Sequence, residues 1–269
     1  MILADSHIHS KFSADSTASL QSMADAAIEN GLQTLTFTDH CDLEYPDIPD
    51  PDLFLIKKPQ YFAALRQLQE RYKSKLEVLI GVEIGLDPSH AEAITAFADG
   101  EPFDFVIGSS HVAHGRDPYM PGYFDGISER EGYAFYFRSI PENAQAIKCY
   151  NVYGHLDYVV RYGPNKDRDY HPFDYLDIFD PGLKTIIADG KGIELNTGGW
   201  TRGLKQAHPH LDLLKRYREL GGEIITVGSD AHSSNSVGYG FARAAELLKE
   251  AGFKYYAVYK AQKPQFFTL

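Results

Sequence analysis

The chain has 269 residues, of which 43% are hydrophobic and 23% charged, a composition typical of a globular protein with a large core. Its net charge of −11 disfavours a nonspecific nucleic-acid binder, because such proteins are usually basic. The two cysteines indicate no disulfide framework, and the sequence shows no signal-peptide pattern and no membrane-crossing apolar run. We therefore expect a cytoplasmic protein that needs no membrane.

Short apolar runs alternate along the chain with amphipathic stretches of helical periodicity. Glycines 31, 190 and 221 are expected to end helices, and Pro141 to interrupt or restart one. Residues 41–57 and 112–127 are predicted loops. In chain order, the predicted elements are strand 2–7, helix 20–30, strand 32–40, helix 59–73, strand 76–85, helix 90–97, strand 103–111, helix 129–149, strand 151–159, helix 173–189, strand 192–198, helix 211–220, strand 223–232, helix 242–251 and strand 254–260.

This regular alternation predicts an α/β fold with a mainly parallel sheet that is buried on both faces. About seven strand–helix units in one domain, residues 1–269, favour a closed TIM-like barrel over an open sheet. The motif G-x-G-x-x-G follows none of the predicted strands, which disfavours a dinucleotide-binding fold.

Side chains that bind metals recur at the carboxyl ends of the predicted strands. In a parallel barrel these ends form one face, where active sites lie. A single His-x-His pair is more often two ordinary surface histidines, but the same placement in six strands favours a metal site. The residues at these ends are His7, His9, His40, Glu83, His111, His155, Asp230 and His232.

The ligand types indicate which metals and which chemistry the site supports. Imidazoles and carboxylates without thiolates suit zinc, iron or manganese. Six histidines exceed the needs of one ion, since a catalytic zinc commonly takes three protein ligands. Two or three divalent ions clamp the oxygens of a phosphate ester and acidify water. The sequence therefore predicts a metal-dependent phosphoesterase site with two or three divalent ions, and the acidic net charge makes a nucleic-acid partner unexpected.

Several polar residues near the same face are candidates for substrate contact. Arg161 and Arg202 follow the fifth and sixth strands, and an arginine fork suits phosphate oxygens; the alternative is a solvated loop charge. Asn196 can orient substrate, orient the groups behind the ligands, or form a turn. Asp157 either fixes a ligand histidine or pairs elsewhere.

Other residues near the predicted ligands have simpler expected roles. Cys41 adjoins His40, but we expect it to be a free thiol because the nitrogen and oxygen ligands suffice. Trp200 and the tyrosine-rich loop 119–123 either cover a flat substrate group or are ordinary packing.

The motifs together resemble the PHP family of phosphoesterases. The resemblance covers nearly the whole chain and is carried, in order, by "HIHSKFSADS", "FTDH", "GVEIG", "GSSH", "GHLDYV" and "GSDAH". It implies a distorted (β/α)₇ barrel with up to three ions. The segments "GHLDYVVRYGP" and "ELNTGGWTRG" look most like histidinol-phosphatase members, which implies hydrolysis of L-histidinol phosphate by a metal-bridging hydroxide.

The resemblance also implies how the ligands are shared among the ions. His7, His9, Glu83 and Asp230 would hold the first ion, and Glu83 would bridge to a second ion completed by His111 and His155. Asp15, His40 and His232 would hold the third, unless Asp15 is instead a helix cap or turn residue. Glu83, Asp230 and His232 are thus the candidate catalytic residues.

Other activities remain open at this point. Within the family, the alternatives are a protein-tyrosine phosphatase and a nucleotide or DNA phosphoesterase. The non-enzymatic alternative is a metal-binding regulatory relative with a decayed site, against which the intact ligand set argues.

Overall fold

The computed structural model describes residues 1–46 and 48–269; residue 47, within the predicted loop 41–57, lies outside the described residues. Its strands are β1 (Ala4–Ile8), β2 (Thr34–Phe37), β3 (His40–Cys41), β4 (Glu77–Gly85), β5 (Phe105–Ser109), β6 (Val152–Tyr153), β7 (Gly192–Asn196), β8 (Ile225–Gly228), β9 (Tyr255–Lys260) and β10 (Lys263–Thr268). Its α-helices are α1 (Leu20–Glu29), α2 (Lys58–Tyr72), α3 (Ala91–Asp99), α4 (Glu129–Phe137), α5 (Ser139–Ala146), α6 (Leu176–Ala188), α7 (Gly198–Thr201), α8 (Leu211–Glu219) and α9 (Phe241–Glu250).

The main sheet is parallel and winds almost into a closed barrel. Its order is β1-β2-β4-β5-β6-β7-β8, and the short β3 continues the β2 position by pairing with β4. In the described part of the chain, β8 and β1 are joined at their carboxyl ends, where His9 N donates to Ala231 O at 2.8 Å and Asp230 N donates to His7 O at 2.8 Å. The predicted distorted (β/α)₇ barrel is confirmed.

The closure requires a glycine at the end of β8. A Cβ on Gly228 would collide with the Cβ of His7 and would lie 2.5 Å from Glu194 Oε1. A larger residue would therefore push β8 away from β1 and separate the residues at the end of β1 from those after β8.

Helix ends follow the capping signals in the sequence. The side chain of Ser19 accepts a hydrogen bond from Ser22 N at 3.0 Å, which caps the start of α1. Gly31, with φ of 75°, follows its end, as do Gly190 (67°) after α6 and Gly221 (93°) after α8. The predicted helix stops are confirmed at all three positions.

Three element predictions need correction. The predicted strand 151–159 is only Val152–Tyr153, because the chain turns at His155 into a 3-10 helix, Tyr158–Arg161. The predicted helix 129–149 is two helices that break at Arg138 and end at Ala146; Pro141 lies in the first turn of the second, where its missing N–H costs little. The predicted strand 32–40 is divided into β2 and β3.

The carboxyl-terminal strands were only partly expected. Strand β9 pairs antiparallel with β10, which the sequence analysis missed. This hairpin covers the amino ends of the barrel strands, where Phe105, Ile107 and Val152 pack with Ala257 and Tyr259 in an apolar cluster. The hairpin therefore closes the barrel at the end opposite the predicted metal ligands.

Among the described helices, none combines the length and the apolar character needed to cross a membrane. That one domain spans residues 1–269 stays a prediction.

Candidate metal centre

The structure brings all nine predicted ligands to the carboxyl end of the barrel. Seven of them have little or no exposed surface, and Asp15 and His232 lie nearer the rim. The ligand atoms form overlapping groups that can each hold an ion: His7, His9 and Asp230; His40, Glu83 and His111; and His9, His40 and His232.

The innermost group lies at the end of β1. His7 and His9 are two residues apart and direct their Nε2 atoms to one point, 3.0 Å from each other. Glu83 Oε2 lies 3.2 Å from the first and 3.5 Å from the second, and Asp230 Oδ1 lies 3.8 and 3.4 Å from them. Tetrahedral ligands at metal bonds of roughly 2.0–2.2 Å are roughly 3.3–3.6 Å apart, so this group has the dimensions of a metal site.

Glu83 is central to the whole cluster. One carboxylate oxygen, Oε1, lies 3.1 Å from His111 Nε2 and 2.8 Å from His155 Nε2, while the other, Oε2, lies 3.0 Å from His40 Nδ1. Together with its contacts to His7 and His9, this places Glu83 between two sets of ligands. The arrangement is the one that a bridging carboxylate needs.

Asp15 lies between two histidines at the rim. Its Oδ2 is 3.0 Å from His232 Nε2 and 3.5 Å from His40 Nε2. The cap of the following helix is Ser19, so Asp15 is not the helix cap; it lies in a turn, and its role as a metal ligand stays a prediction.

The polar atoms of the cluster suit a metal better than they suit each other. His40 Nδ1, Glu83 Oε2 and His232 Nε2 are buried and have no hydrogen-bond partner among the described residues. Buried polar atoms in native proteins are almost always paired, so unpaired nitrogens and oxygens that face one another indicate a bound cation. The residues present therefore fit divalent metal ions.

The charge balance of the centre points the same way. Burial alone raises the pKa of the Glu83 carboxyl, but the surrounding imidazoles, His7 first and then His111 and His40, outweigh burial and hold that pKa well below its ordinary value. Burial lowers the pKa of His7, but the carboxylates of Glu194 and Glu83 outweigh it and hold that pKa well above its ordinary value. The ionised carboxylates thus require positive charge, which metal ions supply in place of protons.

A second layer of side chains orients the ligand histidines. Glu194 Oε1 accepts from His7 Nδ1 at 2.7 Å, and Asp42 Oδ1 accepts from His111 Nδ1 at 2.7 Å. Both contacts leave the Nε2 atom of the ring free for a metal. The sequence analysis missed Glu194 and Asp42, although Glu194 is a carboxylate inside an apolar strand, two residues before Asn196 and on the same face.

Asp230 has an unusual backbone. Its φ of 55° is in the left-handed region, which residues other than glycine rarely adopt. Strained residues of this kind are found where the surrounding structure fixes a functional group. Here the Asp230 carboxylate is held by Arg161, whose Nη2 donates to Oδ2 at 2.8 Å.

The remaining candidate residues take different places. Arg161 is buried and lines the cavity above the ligands, and Arg202 is exposed at the rim of the same cavity. Asn196 is fully buried and does not line the cavity; its amide donates to Glu194 Oε2 at 3.2 Å, which favours the orienting role over a substrate contact. Asp157 pairs away from the ligands, with His208.

The remaining residues expected near the centre are a cysteine and two aromatic residues. Cys41 is a buried free thiol, as expected. Tyr119 lines the cavity, whereas Trp200 does not and instead packs under Arg243, 4.2 Å from its ring centre.

The cavity that opens onto the centre has a volume of about 310 Å³, enough for a small molecule. Apart from the ligands and from Arg161 and Arg202, its wall is aromatic and acidic. The residues of this wall are Asp42, Tyr45, Phe54, Asp117, Tyr119, Tyr158 and Tyr162.

A parallel barrel with histidines and carboxylates gathered at the carboxyl ends of its strands defines a class, the metal-dependent hydrolases built on TIM-like barrels. The family model described as the PHP domain matches residues 5–198. The chain therefore belongs to the PHP-domain family.

Known relatives agree with this assignment over nearly the full length. The chain is 33% identical to the histidinol-phosphatase of Lactococcus lactis over 96% of this chain and 95% of the relative. It is 32% identical to a probable histidinol-phosphatase of Clostridium acetobutylicum over 93% and 94% of the two chains.

Solved structures are similar to the chain as well. One is the histidinol phosphate phosphatase from Lactococcus lactis complexed with zinc, L-histidinol and phosphate, with a TM-score of 0.89, 32% identity and coverage of 97% of this chain and 98% of the other. The second, a putative histidinol phosphatase from Listeria monocytogenes, has a TM-score of 0.75 at 18% identity, covers 89% of this chain and 99% of that one, and supports the fold alone.

Proposed function

We propose that this protein is a metal-dependent phosphomonoesterase that hydrolyses L-histidinol phosphate to L-histidinol and phosphate in histidine biosynthesis. The observation that carries the proposal is the convergence of six histidines and three carboxylates at the carboxyl end of the barrel, six of them lining one small cavity and the other three buried. The similar Lactococcus lactis structure contains zinc, L-histidinol and phosphate together, which supports the same substrate here.

Two or three divalent ions fit the ligand groups, with zinc, iron or manganese suited to the donor types. We assign His7, His9, Glu83 and Asp230 to the first ion, Glu83, His111 and His155 to the second, and Asp15, His40 and His232 to the third. When bound, such ions supply Lewis acidity, which generates hydroxide from water near neutral pH and offsets the charge of the phosphoryl group.

The protein's own groups fix the geometry of this centre. Burial alone raises the pKa of Asp230, but the guanidinium of Arg161, together with His9, outweighs burial and keeps that pKa well below its ordinary value. Asp230 is therefore ionised and suited to bind a cation rather than to donate a proton. Glu83, fully buried among imidazoles, is ionised for the same reason.

Arg161 and Arg202 are the proposed ligands of the phosphoryl oxygens. Both line the cavity, Arg161 beside Asp230 and Arg202 at the exposed rim. A guanidinium donates two parallel hydrogen bonds to adjacent oxygens, which a phosphate monoester offers at its end.

The aromatic and acidic wall suits the rest of the substrate. L-Histidinol carries a flat imidazole and a basic amine, which pack against tyrosine rings and are attracted to carboxylates. Asp117 is the candidate carboxylate: it is buried in the wall, and Tyr45 Oη donates to it at 2.6 Å. That the protein acts on no nucleic acid stays a prediction, which the substrate panel below tests with single-stranded DNA.

A substrate panel tests the proposal. The kcat/KM would be measured for L-histidinol phosphate, a phosphotyrosine peptide and single-stranded DNA, with and without added zinc or manganese. We expect L-histidinol phosphate to be preferred by roughly a hundredfold or more, because a site with matched polar groups rejects analogues that lack their partners. Equal rates for the peptide and L-histidinol phosphate, or a preference for DNA, would reject L-histidinol phosphate as the substrate.

The cytoplasmic location stays a prediction, which cell fractionation can test.

A further inference from the structure

His208 is a histidine outside the proposed ligand set that is nevertheless buried beside the centre. Only 1% of its surface is exposed. Its backbone is fixed to the end of β7, because Asn196 N donates to His208 O at 2.6 Å and His208 N donates to Asn196 O at 2.9 Å. The main chain that carries the imidazole is therefore held in place next to the cavity.

The two ring nitrogens of His208 have different partners. Asp157 Oδ1 lies 2.5 Å from Nδ1, and the other oxygen of Asp157 accepts from His210 N at 2.8 Å. On the opposite side, Arg161 Nε lies 3.1 Å from Nε2. Since an ionised carboxylate only accepts and a guanidinium N–H only donates, the proton of His208 is on Nδ1 and Nε2 accepts from Arg161.

Arg161 is held on three sides as a result. His208 binds its Nε, Asp230 Oδ2 binds its Nη2 at 2.8 Å, and the guanidinium lies over the ring of Tyr158, 4.8 Å from the ring centre. An arginine side chain is long and flexible, and it binds phosphate with the right geometry only when other contacts orient it. The contact at Nε fixes the plane of the guanidinium.

We propose that His208, supported by Asp157, is a positioning residue that orients Arg161 toward the phosphoryl group of the substrate. The proposal rests on the proposed function for the phosphate ligand of Arg161, and it adds a residue that touches neither the substrate nor the metal ligands. It also assigns a role to Asp157, which supports His208 behind Arg161 rather than a ligand histidine.

Two amide substitutions test the hydrogen bonds of His208 to Arg161 and to Asp157 separately. His208→Gln places an amide near the position of Nε2 and can still accept from Arg161, whereas His208→Asn places an amide near Nδ1 and can donate only to Asp157. We expect His208→Asn to lower kcat/KM for L-histidinol phosphate about tenfold, mainly through a higher KM, and His208→Gln to lower it about threefold or less. Equal losses in the two variants would overturn the proposal.

A double-mutant cycle with Arg161→Met shows whether His208 acts through Arg161. In that background we expect His208→Asn to change kcat/KM by less than about twofold, because the group that it orients is gone. The Kd of inorganic phosphate for the zinc-loaded variants, measured by calorimetry, should follow the same pattern. The same loss from His208→Asn in both backgrounds would show a purely structural role and reject the proposal.

The tautomer of His208 can be read in the unmodified protein, with no variant to fold. Two-bond ¹H–¹⁵N correlation spectra are expected to show a neutral ring with its proton on Nδ1; a proton on Nε2 would overturn the proposal. This readout is independent of turnover. If the protein hydrolyses another phosphomonoester, the proposed substrate fails while the phosphate-binding and tautomer tests still decide the role of His208.

Discussion

The two ends of the barrel are built from the same strands and have opposite interiors. Along β4, the face that carries the buried Leu79 in the amino half carries the buried Glu83 in the carboxyl half, because alternate residues of a strand point the same way. At the amino end the β9–β10 hairpin closes the barrel over apolar side chains, and at the carboxyl end several buried ligand atoms have no hydrogen-bond partner among the described residues.

This contrast shows how the protein divides stability from chemistry. Buried apolar surface stabilises the fold at roughly 25 cal/mol per Å², while buried polar groups that lack partners destabilise it. The carboxyl end therefore depends on bound cations and on the carboxylates behind the ligands, whereas the amino end depends on packing. Substitutions at the two ends are expected to affect different measurements.

The largest effect is expected from a substitution among the ligands at the carboxyl end of the barrel. Glu83→Gln removes the charge shared by the ligand groups, and kcat should fall by roughly three orders of magnitude or more, the scale on which metal ions stabilise transition-state charge. Circular dichroism should show unchanged secondary structure. The matched control is Glu77→Gln, an exposed glutamate at the amino end of the same strand. Near-normal turnover in Glu83→Gln would show that Glu83 is not the bridge.

The next largest effect is a loss of stability, expected from a substitution at the amino end of the barrel. Phe105→Ala leaves a cavity beside Tyr259, whose ring centre is 5.2 Å away, and is expected to lower the free energy of unfolding by about 3–5 kcal/mol. Urea denaturation measures this loss, and kcat of the folded protein should stay close to normal. A strong loss of kcat with unchanged stability would contradict the division between the two ends.

A smaller effect is expected in the layer behind the ligands. Glu194→Gln weakens the contact that orients His7, and the affinity for the most tightly bound ion should fall by roughly 10- to 100-fold. Competition with a zinc-binding dye measures that affinity. Glu223→Gln, at an exposed position before β8, serves as the control. Unchanged affinity in Glu194→Gln would mean that Glu194 only fills space in the barrel.

The smallest effect is expected at the rim. Arg202 is exposed, so its contact with phosphate is partly screened, and Arg202→Ala should lower kcat/KM about tenfold while metal content stays unchanged. Arg202→Lys should recover part of the loss, because a single ammonium cannot bind two oxygens as a fork. Lys205→Ala is the control from the same exposed loop. Normal kinetics in Arg202→Ala would make Arg202 a solvated loop charge.

The sequence predicts the polar end well because strand ends are easy to locate. His7, His40 and His111 each follow a run of strand-forming residues, and parallel strands bring such ends to one face without any knowledge of loop geometry. The predicted placement of His155 at a strand end holds although β6 is short, because His155 still follows that strand where the chain turns.

The layer behind the ligands was harder to predict. Glu194 offered a signal, a carboxylate within "GIELN", but Asp42 and His208 lie in irregular segments where spacing says nothing about direction. Their contacts join residues far apart in the sequence: His111 with Asp42, and Arg161 with His208. Only the folded barrel brings such pairs together.

The central claim, that the carboxyl end of the barrel is a polynuclear metal centre, is tested most directly by elemental analysis of gently purified protein alongside its activity on L-histidinol phosphate. We predict more than one transition-metal ion per chain, with three the expected number at full activity. Chelation should abolish turnover, and zinc or manganese should restore it in proportion to the ions rebound. Full activity with at most one bound ion per chain would contradict the claim.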